Sequence, residues 1–128
     1  MSIPVLMLAA CGLLSLSLAV ATIAIYFVRF GGKMIRGNRD HFPVPTGLAA
    51  RVVRAHANLN EALLPFVILV FAATTVHAGN PVMDYAAAAF FLARLAHAGL
   101  YLAGATPWRS VSYYAGLMAT LIFAAQSL

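Results

Sequence analysis

Charged residues are scarce in this sequence. Only 9% of its 128 residues are Asp, Glu, Lys or Arg, whereas 63% are hydrophobic. Soluble domains carry about 25% charged residues, so this composition excludes an ordinary soluble domain and indicates an integral membrane protein. The chain is also too short to hold two typical domains. We therefore expect a single membrane domain.

Cysteine is nearly absent as well. The single one, Cys11, lies in an apolar run and has no second cysteine in the chain for a disulfide. It belongs to no metal-binding motif either, so we expect a small packing residue and no metal site. Acidic residues number three against eight Lys and Arg, a net charge of +5. These basic residues are split between a short loop and helix interiors, which argues against a nucleic-acid partner.

Four apolar stretches predict four transmembrane helices in an all-α membrane bundle. We expect them at about 4–30, 47–76, 81–103 and 108–127. No Lys or Arg precedes the first stretch, so we expect a retained helix and not a cleaved signal peptide. Thr46 is a candidate N-cap for the second helix, and Pro65 is a candidate kink inside it.

Basic residues are distributed unevenly among the predicted loops. Lys33, Arg36 and Arg39 lie in the first loop, and Arg109 borders the third, whereas the second loop and both termini carry no Lys or Arg. The positive-inside rule then predicts that the first and third loops face the cytoplasm and that both termini lie on the opposite side.

Polar residues recur at helical spacing on three of the predicted helices. They are Arg51, Arg54, Asn58 and Glu61 on the second, Arg94, His97 and Tyr101 on the third, and Arg109, Ser110 and Tyr113 on the fourth. A charge at the bilayer centre costs roughly 2.5–3.5 kcal/mol even on lenient scales. Because all three stripes fall in the half of the membrane predicted to be cytoplasmic, we expect them to form one polar site.

The residue types of this predicted site indicate its ligand. Arginines outnumber carboxylates, and a guanidinium pairs with a carboxylate through two parallel hydrogen bonds. Glu61 can take an ammonium group. The site therefore suits a small zwitterion with excess carboxylate beside an apolar groove. Two alternatives stay open: Arg54, Asn58 and Glu61 form an interhelical network without a ligand, or Arg51 is an anchor for lipid phosphates.

Three segments resemble a known superfamily, the membrane-associated proteins in eicosanoid and glutathione metabolism (MAPEG). They are RAHANLNEALLPF at 54–66, RLAHAGLYL at 94–102 and WRSVSYY at 108–114. The resemblance points to the branch of microsomal glutathione transferases and microsomal prostaglandin E synthase. It implies a homotrimer that binds glutathione between neighbouring subunits near the cytosolic face. The implied activity is detoxification, as a transferase for lipophilic electrophiles or a peroxidase for lipid hydroperoxides.

The resemblance also implies roles for individual residues. Arg109 would hold the glutathione sulfur as thiolate, and the glutathione-binding residues would be Arg29, Arg54, His56, Asn58, Glu61, Arg94, His97, Tyr101, Ser110 and Tyr113. A free thiol with a pKa of about 8.5 is only slightly ionised at neutral pH, and a cation in a dry pocket favours its thiolate. One alternative is an isomerase activity like that of the prostaglandin synthase. Ala57 stands where that synthase has arginine, and this difference disfavours the alternative. A non-catalytic lipid-binding member is the other alternative.

Overall fold

Four helices make up the chain in a computed structural model that describes residues 1–38, 40–76 and 78–127. They are α1 (Ile3–Arg36), α2 (Gly47–Thr75), α3 (Pro81–Ala103) and α4 (Thr106–Ser127). The predicted all-α bundle is thereby confirmed. Arg39 of the basic loop and His77 of the second connection lie outside the described residues, as does Leu128.

Three of the helices, α1, α2 and α3, are long and apolar enough to cross a membrane. The fourth is not among them, since polar residues such as Ser112 and Gln126 interrupt its apolar sequence. Large apolar side chains on the outside of the bundle are widely exposed, for example Leu13 at 66% and Leu92 at 61%. Such a surface is stable against lipid, where every helix also satisfies its own backbone hydrogen bonds.

The helix ends depart from the sequence prediction mainly in α1. That helix continues to Arg36, six residues beyond the predicted end at Phe30, and it bends at Gly31. Gly31 adopts φ 75° and ψ 155°, a backbone conformation that a residue without Cβ takes at little cost. The bend separates the apolar part of α1 from the basic turn that follows.

The ends of the other helices differ in how they are capped. Thr46 has the extended backbone of an N-cap, but its hydroxyl makes no capping bond, and α2 runs through Pro65 without a break in helical φ and ψ. Asn80 caps α3, since its Oδ1 accepts from the Met83 N–H at 2.9 Å. Gly104 ends α3 with φ 78°, and α4 begins two residues earlier than predicted.

The core lies mostly at one end of the bundle. Helix α3 packs against α4, α1 against α2 and α3, and α2 against both α3 and α4. Phe66 of α2 stacks on Phe90 of α3 with ring centroids 4.1 Å apart, and Phe123 of α4 meets Phe66 edge-on. Cys11 is fully buried in this apolar cluster. The opposite end, around the α3–α4 turn, is left for the polar side chains.

Candidate functional site

A polar pocket opens between α2, α3 and α4 near the α3–α4 turn. Its volume is about 170 Å³, and it is lined by Asn58, His97, Tyr101, Arg109, Ser110, Tyr113 and Tyr114. All but Tyr114 are residues that the sequence placed in the site. Residues from all three polar stripes therefore line one pocket, because α2 begins, α3 ends and α4 begins at this end of the bundle.

A second, more enclosed pocket of about 150 Å³ adjoins the first. Its lining combines Asn58, Glu61, Arg94 and Tyr113 with Ala62, Pro65, Phe90, Gly116, Leu117 and Thr120. Because Asn58 and Tyr113 line both pockets, the two are next to each other. Every residue that lines the first pocket carries a polar group, and the second pocket adds an apolar wall from α2, α3 and α4.

Arg94 is the most deeply buried charge of the site, with 2% of its surface exposed. Its Nη2 donates to the carbonyl oxygens of Ser112 at 3.2 Å and Tyr113 at 2.8 Å, and so ties α3 to α4. The guanidinium lies between the rings of Phe90 and Tyr113, at 5.7 and 5.4 Å from their centroids. Its Nε and Nη1 have no hydrogen-bond partner among the described residues. Two donors are thus available to a ligand.

Gly116 makes the position of Arg94 possible. A Cβ added to Gly116 would overlap the guanidinium, lying 2.6 Å from Nε and 2.7 Å from Cζ. Atoms of a real side chain do not approach so closely. The bare backbone of α4 at this residue therefore provides the space into which the α3 arginine fits.

His97 is oriented by the backbone of α4. Its Nδ1 lies 2.9 Å from the carbonyl oxygen of Arg109 and 3.1 Å from Oγ of Ser112. Ser112 Oγ donates to the same carbonyl at 2.8 Å. The other ring nitrogen, Nε2, is buried and has no partner within the described part of the chain. An unsatisfied buried polar atom costs about 1–3 kcal/mol, so Nε2 is a position where a ligand gains binding energy.

The guanidinium of Arg109 lies over the ring of Tyr101, with Cζ 4.4 Å from the centroid. This contact holds the cation at the wall of the polar pocket, whose lining includes no carboxylate. Arg109 lies in the first turn of α4, but its own backbone N–H already donates to the carbonyl of Ala105. The guanidinium, and not that N–H, is therefore the group that Arg109 offers to an anion.

Asn58 supplies an acceptor opposite these donors. Its Oδ1 is buried and without a partner among the residues described, and the side chain lines both pockets. Glu61, one helical turn further along α2, lines the second pocket and is exposed. The site thus presents cations on α3 and α4 and acceptor groups on α2. That division suits a ligand that carries both carboxylate and ammonium or amide groups.

Three predicted site residues line neither pocket of the single chain. Arg29 donates from Nη1 to the Thr46 carbonyl at 2.7 Å and so holds the start of α2. Arg54 is exposed, one turn before Asn58 on the same stripe. His56 lies two residues from Asn58, about 200° around the helix, and faces α1. Its Nε2 is 3.1 Å from Ser15 Oγ of α1 and 3.1 Å from Asn60 Nδ2 of α2. His56 was not part of the predicted polar stripe of the second helix and was included in the site through the resemblance.

Sequence reasoning missed two residues that shape the site, Ser112 and Gly116. Both lie on the buried face of α4, together with Ala119 and Phe123. The spacing of three to four residues from Arg109 through Ser112 to Gly116 was the available signal. It was hidden because small residues are common in membrane helices for packing reasons alone.

The chain matches the model of the MAPEG family over residues 7–128. It belongs to the MAPEG family. The resemblance of the three sequence segments to this superfamily is thereby confirmed at the level of the family. With the apolar helices, the match establishes an integral membrane protein of a family associated with glutathione and eicosanoid metabolism. No curated protein matches the chain in a sequence comparison.

Proposed function

We propose that this protein is a glutathione-dependent membrane transferase that joins a glutathione thiolate to lipophilic electrophiles. The observation that carries the proposal is the position of Arg109. Its guanidinium lies at the wall of a pocket whose lining, among the described residues, has no carboxylate and includes three tyrosines and a histidine. A nearby cation without a neutralising partner favours the thiolate, which is the reactive form of a thiol.

The hydrogen-bonding groups without partners support a tripeptide ligand. Arg94 has Nε and Nη1 free to bind a carboxylate or an amide carbonyl, and Asn58 Oδ1 is free to accept from an ammonium or amide N–H. Glu61 provides a carboxylate for the ammonium end. Glutathione carries two carboxylates, one ammonium and two amides, so it can satisfy every one of these groups.

The apolar wall of the second pocket supports a lipophilic second substrate. Phe90, Pro65 and Leu117 line this wall next to the polar pocket. Attack of the thiolate on an electrophilic carbon there forms the C–S bond of a conjugate. With a lipid hydroperoxide the thiolate attacks oxygen instead, releasing the alcohol and leaving a sulfenic acid, which a second glutathione converts to the disulfide and water. Peroxidase activity is therefore part of the proposal.

The working form is proposed to be a homotrimer with sites shared between subunits. Each of the two site pockets, within a single chain, is smaller than the 300–1,000 Å³ typical of ligand sites. Arg54 and Glu61 are both exposed on α2, where contact with lipid would be costly. A second copy over this face would enlarge the pocket and cover the charges. The active site is proposed to lie toward the cytoplasm, with both termini on the opposite side.

The decisive experiment replaces Arg109 with leucine in detergent-purified protein. Thiolate formation is measured by its ultraviolet absorbance at about 240 nm when glutathione is added, and turnover with an aryl halide. We expect Arg109→Leu to lose most of the thiolate signal and turnover while retaining glutathione binding through α2 and α3. Arg36→Leu, at the exposed end of α1, is the matched control and should behave as the parent.

The possible results distinguish the proposed function from its alternatives. Undiminished thiolate absorbance and turnover in Arg109→Leu would remove Arg109 from the mechanism. A parent protein that binds glutathione without forming thiolate would support the non-catalytic alternative. Isomerisation of a prostaglandin endoperoxide without aryl-halide conjugation would favour the prostaglandin synthase alternative.

A further inference from the structure

The tautomer of His97 follows from its contacts. Nδ1 lies 2.9 Å from the backbone carbonyl oxygen of Arg109, and a carbonyl oxygen can only accept a hydrogen bond. The nearby Ser112 Oγ gives its own hydrogen to that same carbonyl. The ring proton of a neutral His97 must therefore be on Nδ1. Nε2 is left with a lone pair, buried and without a partner among the described residues.

His97 is a lining residue of the polar pocket, and its Nε2 is buried beside that pocket. His97 lines it together with Arg109 and Tyr101, and its ring centroid lies 5.4 Å from that of Tyr101 and 6.0 Å from that of Tyr113. The carbonyl of Arg109 holds the His97 ring in one orientation, and the guanidinium of the same arginine offers a cation. His97 therefore has the arrangement of a base beside an anion site.

We infer that His97 is a second catalytic residue, whose Nε2 takes the proton from the bound thiol as the thiolate forms beside Arg109. The inference rests on the proposed transferase function and deepens it. Arg109 alone can stabilise a thiolate, but a guanidinium has donors and no acceptor, so it cannot receive the proton. The proton needs a basic acceptor close to the sulfur, and Nε2 is an unpaired basic nitrogen on a described residue that lines the same pocket as Arg109.

The charges around the ring are compatible with this transfer. Arg94 and Tyr101 lie on the same helix as His97, Arg109 and Tyr113 approach from α4, and α2 contributes the uncharged Asn58. Transfer changes a neutral thiol and imidazole into a thiolate and imidazolium, so the net charge of the pocket is constant. The arginines oppose the imidazolium but favour the thiolate, and a sulfur between Arg109 and Nε2 gains from both neighbours.

The step balances in atoms and electrons. The S–H bond breaks, its electron pair stays on sulfur, and an N–H bond forms at Nε2. Sulfur then forms the C–S bond with the electrophile. An aryl halide loses halide with its bonding pair, and His97 releases the proton to water. An α,β-unsaturated carbonyl compound instead becomes an enolate, which takes the proton back from Nε2.

The test compares a thiol with a selenol. His97→Asn keeps an N–H donor near the position of Nδ1 but has no atom to replace Nε2. Single-turnover conjugation of an aryl halide is measured from about pH 6 to about pH 9.5, with glutathione and with its selenol analogue, which is ionised at neutral pH without a base. The matched control is His41→Asn, at an exposed histidine of the first loop.

We expect His97→Asn to be about 100-fold slower than the parent with glutathione near pH 6.5, in the range of general-base catalysis. The deficit should shrink as pH rises and should nearly vanish with the selenol. Equal deficits with thiol and selenol, or rates like those of the parent with both, would overturn the role of His97 as proton acceptor. His97→Gln, which places a non-basic amide near Nε2, is a second variant that should give the same thiol–selenol difference.

The same measurements separate this inference from the proposed function. A parent protein without glutathione-dependent turnover would refute the transferase itself. An active parent with an unaffected His97→Asn variant would refute only the role of His97. Glutathione binding isotherms of each variant show that the fold and the thiol site are intact before rates are compared.

Discussion

Replacing Gly116 with alanine should change the stability of the protein, and the sign of the change distinguishes helix propensity from steric overlap. Alanine is favoured over glycine in a helix interior by about 0.5–1 kcal/mol, so helix propensity predicts a more stable protein. The structure predicts the reverse, because the new Cβ would overlap the Arg94 guanidinium. That group cannot move without loss, since it donates to the carbonyls of Ser112 and Tyr113 and lies between two aromatic rings.

The magnitude follows from the two hydrogen bonds. Each bond to a charged group contributes about 1.5–3 kcal/mol, and we expect part of this to be kept as the arginine shifts. After subtracting the gain in helix propensity, Gly116→Ala should destabilise the protein by about 2–4 kcal/mol. Glutathione binding should weaken as well, because Nε and Nη1 move with the rest of the guanidinium.

The assay is the unfolding midpoint in detergent, measured with and without glutathione. Gly12→Ala and Gly99→Ala are matched controls, since an added Cβ meets nothing within 4 Å at either residue. We expect both to be neutral or slightly stabilising. In an Arg94→Met background the cost of Gly116→Ala should largely disappear. A Gly116→Ala protein as stable as the parent, with unchanged glutathione affinity, would refute the packing described for Arg94.

Three further predictions concern other parts of the molecule. Glu61→Gln should weaken glutathione binding about 10- to 100-fold by titration calorimetry, as loss of a charged hydrogen bond implies; an unchanged Kd would place Glu61 off the ligand. Ser15→Ala should lower stability by only about 0.6 kcal/mol and leave glutathione affinity intact. The reason is that Ser15 bonds to Asn60 and contacts His56 outside both pockets. A large loss of affinity would show that this cluster belongs to the site. Glu61→Gln and Arg109→Leu subunits, each impaired alone, should partly restore activity when mixed, whereas no recovery, with only monomer in native mass spectrometry, would contradict a shared site.

Much of the fold could be predicted because its signals are local. Long apolar runs and Pro81 before the third run placed α2 and α3 within a residue of their observed ends. The extent of α1 could not be predicted. A glycine such as Gly31 at the end of an apolar run indicates a helix end, but here it only bends the helix. Whether a glycine ends or bends a helix depends on the packing beyond it. Here the contact of Phe42 with Tyr26 and Phe30 brings the first loop back against α1.

The sequence by itself determined that this is a helical membrane protein and which stripes of its helices are polar. Composition and a spacing of three to four residues suffice for that, because lipid admits few charges and a helix repeats every 3.6 residues. Tertiary structure alone decided what each polar atom does. The rotation of α2 turned His56 toward α1, and the close approach of α4 at Gly116 buried Arg94. The carbonyl of Arg109 fixed the His97 ring. These depend on contacts between atoms of different helices, within a few tenths of an ångström, which no pattern along one chain segment contains.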